Sequence, residues 1–114
     1  MTVKKLDKTE WRTFFDALSR TLKDARAEVD VVGASVGAQV EANWRPLFGV
    51  AYDDKDDVVE VALEGVDHLI SAPSDIFVEE DAGAISSLEI IGGDKLSRII
   101  KFKEPARAPT ATRG

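Results

Sequence analysis

Ser35, Asp53 and His68 are residue types that could work together as nucleophile, acid and base, and they follow one another in the chain order of an alpha/beta-hydrolase. Ser35 sits in Gly33-Ala34-Ser35-Val36-Gly37, which matches G-x-S-x-G. A nucleophile elbow needs a strand before the serine, a helix after it and a parallel sheet beneath. Here the residues after Gly37 alternate as a strand and no crossover helix follows, so the two glycines read better as a turn between hairpin strands. His68, the only histidine, has the side chain whose unperturbed pKa lies nearest neutrality, and Asp67 or Asp53 could serve as its carboxylate partner. In an extended segment, however, Asp67 and Leu69 point away from the face that carries His68. A lone histidine is also no metal-ligand spacing, since carboxylates would have to complete the set. A structural role, such as a hydrogen bond from the ring to a backbone carbonyl, is the preferred reading. Asp53, Asp54, Asp56 and Asp57 offer oxygen ligands to Ca²⁺ or Mg²⁺, but there is no glycine at the sixth position of an EF-hand loop and no glutamate at the twelfth. They read as an Asx-rich hairpin turn. We therefore assign no catalytic, cofactor-binding or metal-ligating residue, and place ligand or partner contacts at His68, Asp67, Tyr52 and Asp53.

Those residues must be positioned by strands. Phe48 to Tyr52 is a short apolar and aromatic run, the aspartate-rich turn follows, and Val59, Val61 and Leu63 then recur at every second residue with Glu60 and Glu64 between. Gly65 ends that strand, and Pro73 separates Asp67–Ile70 from a further strand at Asp75–Glu79. Upstream, Asp7 and Glu10 flank a helix start, with Leu6 placed to pack on Trp11. Phe14, Phe15, Leu18, Leu22 and Ala25 continue a helical stripe, predicting one helix over residues 8–25. The period then changes to two: Ala27, Val29 and Val31 form one strand, and Val40, Ala42 and Trp44 form the next, which Pro46 breaks or edges. Trp11 and Trp44 fall on inward stripes and read as core residues. After a turn at Glu79–Gly83, Ile85–Ile91 and Lys95–Lys103 form a hairpin around Gly92-Gly93, where both glycines tolerate positive φ. Pro105 to Gly114 has no apolar period and reads as a disordered tail, leaving a single domain over residues 1–104.

With 114 residues the chain suffices for one domain with a real core, about two-thirds of its unfolded surface being buried on folding. It contains no cysteine, which excludes disulfides, thiolate nucleophiles and cysteine-ligated metal centres. The N-terminus lacks the apolar core of a signal peptide and no apolar run reaches membrane-span length, so a cytoplasmic protein is expected. The net charge of −6 is uneven: +1 over residues 1–52, −10 over 53–81 and +3 over 82–114. An acidic chain repels phosphates, so nucleic acid is not an expected partner, nor is a membrane.

The series Trp44-Arg45-Pro46-Leu47, Gly49-Val50-Ala51-Tyr52-Asp53, Lys55-Asp56-Asp57, Gly65-Val66-Asp67-His68-Leu69-Ile70, Pro73, Ile76 and Val78 resembles a family of small bacterial proteins catalogued as domain of unknown function 5335. The similarity takes in the segment around Trp11 and Ser87-Leu88-Glu89, and departs at Gly92-Gly93-Asp94, where the family pattern has a more polar turn. The resemblance implies a bacterial cytoplasmic single-domain protein and carries no activity, ligand or catalytic residue with it. The fold expected from the residues is α+β, an N-terminal helix packed on a bent, mainly antiparallel sheet of about six to eight short strands. The function expected is a non-catalytic binding or interaction module without a cofactor, with a homodimer through an edge strand as the easiest partner geometry. Two alternatives stand beside it: a small hydrolase or metal-dependent enzyme using His68 with Asp67 or Asp53, and an acidic protein that binds a basic partner through residues 53–81.

Overall fold

The computed structural model describes residues 2–34 and 37–107. Among them the strands are β1 Thr2–Lys5, β2 Arg26–Gly33, β3 Gly37–Asp53, β4 Val58–Leu63, β5 Val66–Ser71, β6 Asp75–Asp81, β7 Ala84–Ile91 and β8 Ser97–Arg107. A 3-10 turn at Lys8–Glu10 leads into one helix, α1, Trp11–Ser19. The strands form one sheet in the order β1-β6-β7-β8-β2-β3-β4-β5, with every pairing antiparallel.

This corrects the α+β expectation. With 64% of residues in strands and 12% helical, the fold is dominated by its sheet, and the helical segment is too short to form a layer of its own. The helical stripe read over residues 8–25 ends six residues early. Ser19 turns its hydroxyl to β3, donating to the Val50 carbonyl at 2.9 Å and accepting from the Val50 N–H at 3.0 Å. Thr21 folds its hydroxyl back onto the Leu18 carbonyl at 2.8 Å. Hydroxyl side chains that offer such alternatives to the backbone favour helix ends over helix interiors. Leu22 is nevertheless buried, which is why its spacing imitates another helical turn.

β3 merges what read as two strands. It runs through Pro46 because the proline stands where β3 leaves one neighbour for another: Pro46 is the last partner of β2, and Leu47 begins the pairing with β4. The missing N–H of Pro46 falls at this change of partner, where a ladder bond is not required. The corner is held by guanidinium groups, Arg26 donating to the Trp44 carbonyl at 3.1 Å and Arg45 to the Glu64 carbonyl at 3.2 Å. Beyond the corner, the β3 edge that β2 has vacated is met by Ser19 of α1, whose hydroxyl serves the backbone of Val50 as a strand would.

The bend folds β3–β4–β5 over β6–β7–β8–β2, and one core fills the space between. Val50, Val59, Val61 and Ile70 from the first group join Val29, Val78, Leu88, Ile90 and Ile100 from the second, with Trp11, Phe15 and Leu18 of α1 contributing to the same cluster.

The turn between β7 and β8 differs from a two-residue hairpin. It spans Gly92 to Leu96, and Lys95 at φ 68° takes the left-handed conformation while Gly92 and Gly93 do not. The glycines are there for space. A Cβ on Gly93 would lie 2.9 Å from the Ala72 Cβ and 3.2 Å from the Ser71 and Ala72 carbonyl oxygens, and the Gly93 N–H donates to Ser71 at 3.0 Å. The end of β5 is thereby fastened to the middle of the sheet. At the other terminus, β8 continues through Pro105 to Arg107, and the Ala106 side chain is buried, so the expected boundary at 104 falls inside a strand. The rest of the expected tail lies outside the described residues.

Candidate functional site

The four residues expected to contact a ligand or partner take four different positions. Tyr52 is a core residue, with 7% of its surface exposed, and it meets Trp11 edge-on at 5.2 Å between ring centroids. Its hydroxyl donates to the Asp57 carboxylate at 2.6 Å. Burial first, then that hydrogen bond and the charges of Asp57, Asp54 and Asp53, raise its pKa from 10.0 to about 12. Asp53 caps the hairpin turn, its carboxylate accepting from the Lys55 and Asp56 N–H groups at 2.9 and 3.2 Å, as an Asx turn does.

His68 and Asp67 occupy opposite faces of β5. His68 pairs with the buried Val61 and points to the interior, where its Nε2 is buried without a hydrogen-bond partner, whereas Asp67 is exposed. The carbonyl bond expected of the ring is not made at that nitrogen. Neither Asp67 nor Asp53 is therefore aligned with the imidazole as a catalytic dyad would require. Ser35, the remaining member of the imagined triad, lies outside the described residues. No group of three or more histidine or acidic side chains able to hold a metal ion occurs among the described residues.

The acidic third of the chain is in part neutralised by the fold. Four of its carboxylates are matched to bases near the N-terminus: Asp75 to Lys5 at 3.0 Å, Glu80 to Lys4 at 3.7 Å, Asp57 to Lys8 at 3.8 Å and Asp54 to Arg12 at 3.8 Å.

Two surfaces that the sequence reading passed over are better formed. The first is the outer face of β3–β4–β5. A bulge between Leu47 and Gly49 throws Phe48 outward, leaving it 64% exposed, and Leu69 of β5 is 63% exposed. Ala51, Glu60 and Leu69 share one cross-strand row, and Gly49, Ala62 and Asp67 the next. The Glu60 and Asp67 carboxyl groups meet diagonally across these rows. A hydrogen bond with Asp67, helped by burial and by the Asp67 charge, holds the Glu60 carboxyl above its ordinary 4.5. β5 is also a free end of the sheet, with β4 as its one neighbouring strand.

The second surface lies on the far side of the larger half-sheet. Phe77, Glu89 and Ile99 stand in register across β6, β7 and β8, with Glu79, Ser87 and Lys101 in the adjacent row. Together with Trp44 they line a cleft of about 550 Å³. Trp44 is not the core residue its alternation suggested. It adopts φ 51° at an irregularity in the β2–β3 pairing and is half-exposed at the wall of this cleft. The signal available in the sequence was parity: Phe77 and Glu89 alternate with the buried Ile76, Val78, Leu88 and Ile90.

A family model described as a family of unknown function, DUF5335, matches residues 2–111. A protein of Aquifex aeolicus (strain VF5), described as "Uncharacterized protein", is 37% identical over 110 residues, covering 96% of this chain and 99% of the other. No solved structure matches.

Proposed function

Because the chain belongs to DUF5335, a family of unknown function, its relatives lend it no activity, and we propose that it is a non-catalytic interaction module that pairs with a second copy through β5. The observation that carries this reading is the contrast between the two ends of the sheet. β1 is four residues long and bears Lys4 and Lys5, the kind of charge that guards an edge against pairing. β5 is six residues long, has no lysine or proline, and carries the exposed Leu69, with the exposed Phe48 two strands away on β3. Antiparallel alignment of two β5 strands would supply backbone hydrogen bonds, while the apolar side chains of the outer face would add buried area.

The test is the mass in solution across a concentration series. Multi-angle light scattering should find the 12.4 kDa chain moving toward twice that mass as concentration rises. Leu69→Lys, which places a charge on the exposed face and leaves the core untouched, should remain at the single-chain mass. A wild-type protein that stays at 12.4 kDa at the highest attainable concentration would overturn the reading.

A further inference from the structure

The cleft on the larger half-sheet contains a charge that the fold itself does not answer. Lys101, the cation nearest its floor, is already engaged by Asp30 at 2.9 Å and Glu28 at 3.6 Å, both on β2. Glu79 accepts from the Ser87 hydroxyl at 2.9 Å and makes no ion pair among the described residues. Glu89 has neither a hydrogen bond nor an ion pair among the described residues, although it is half-buried between Phe77 and Ile99. Asp30, one strand beyond Ile99 in the same row, keeps its Oδ1 buried with no hydrogen-bond partner. Between its aromatic and aliphatic walls the row thus presents one carboxylate without a donor, Glu89, while beyond Ile99 the Asp30 carboxylate, paired with Lys101 through its other oxygen, keeps one oxygen unmet.

Removing a carboxylate from water without a partner is unfavourable, and the loss is recovered when a cation docks. An ammonium is compact and strongly hydrated. A guanidinium is planar, weakly hydrated, able to lie against aromatic faces such as those of Phe77 and Trp44, and able to donate to a carboxylate through two parallel N–H groups. A second copy packed cleft to cleft is the wrong occupant, since it would set these same carboxylates against one another. We propose that this cleft receives an arginine side chain from a basic protein partner, with Glu89 as the principal anion and Phe77 and Trp44 as the stacking walls. The site is independent of β5, so the monomeric Leu69→Lys protein should bind just as the wild type does.

The test uses the full chain and a short blocked Gly-Arg-Gly-Arg-Gly peptide, with citrulline and lysine versions as controls, followed by amide chemical shifts. Saturable shifts should centre on Trp44, Phe77, Glu89 and Ile99. The citrulline peptide, equal in shape and without charge, should not bind, and the lysine peptide should bind several-fold more weakly. Glu89→Gln should weaken the arginine peptide by about tenfold. Phe77→Ala should weaken it also, and the dispersed amide spectrum of each variant reports whether it is folded. Shifts centred on the Asp53–Asp57 turn, an affinity unchanged in Glu89→Gln, equal binding of lysine and arginine peptides, or no saturation at millimolar peptide would each overturn the proposal.

Discussion

The Tyr52 hydroxyl sits where its ionisation would place a negative charge beside Asp57 and near Asp54 and Asp53, within a ring contact that Trp11 closes. A phenol whose pKa is higher in the folded chain than in the unfolded one stabilises the fold fully below the unfolded value of 10.0. That contribution is lost as pH rises through the folded value of about 12. Tyr52→Phe should therefore flatten the alkaline decline in melting temperature between those limits, at a cost near neutrality of about 1 kcal/mol for the hydrogen bond to Asp57. Thermal melts of the two proteins from pH 8 to pH 12 check this, and parallel declines would reject it. Alternation in the sequence put His68 and Asp67 on opposite faces, because a strand sends neighbouring side chains to opposite sides, but it did not say which face is inward. It could not show that Tyr52 is a core residue, since Val50 and Tyr52 share one parity whichever side becomes the interior. It also could not reveal the Glu60–Asp67 contact, which depends on the register of β4 against β5.

At the scale of elements, the strands were readable wherever one face is buried, as in β4, β6 and β7, whose apolar residues recur with period two. The misreadings fall where tertiary contact overrides local pattern. Leu22 is buried outside any helix, so helical spacing outran the helix; Pro46 sits inside a strand because it occupies a change of partner; Trp44 is turned outward by a bulge. The glycine pair does mark a turn but for a different reason, since Ser71 and Ala72 exclude a side chain at Gly93, and Arg98, Asp94 and Ile70 crowd one at Gly92. Gly93→Ala should thus destabilise the protein by about 1–3 kcal/mol, the usual range for overpacking, even though its φ is one that alanine adopts. Gly83→Ala provides the contrast, because a Cβ there meets nothing within 4 Å and the penalty comes from φ 81° alone. Chemical denaturation of both variants measures the two costs. A Gly93→Ala protein as stable as the wild type would mean that the turn is not seated on the β5–β6 loop.

For the molecule as a whole, opposing carboxyl shifts set the dependence of stability on acidity. Glu28, hydrogen-bonded to Asp30, and Glu60, hydrogen-bonded to Asp67, are held above 4.5, so they favour the fold increasingly as pH falls through their raised values toward 4.5. Asp7, held down by the Thr9 N–H, Asp75 by Lys5 and Asp94 by Arg98, stabilise it above 3.8 and lose that effect as pH falls through their lowered values. Calorimetry should find the melting temperature rising as pH falls from neutrality toward 4.5 and declining below about pH 3.8, with Glu60→Gln shrinking the rise. A curve that is level or descending all the way from pH 7 to pH 4.5 would contradict this balance. The strand order has a further consequence for synthesis. Among the described residues, 2–5 align only with 77–80, and β2 waits for β8 as its second neighbour, so a ribosome must release the chain through β8 before the larger half-sheet can assemble. Such distant pairings belong to slow, millisecond-to-second folding. Until then the newborn chain carries unmatched ribbons, the form in which a cell's chaperones would meet it.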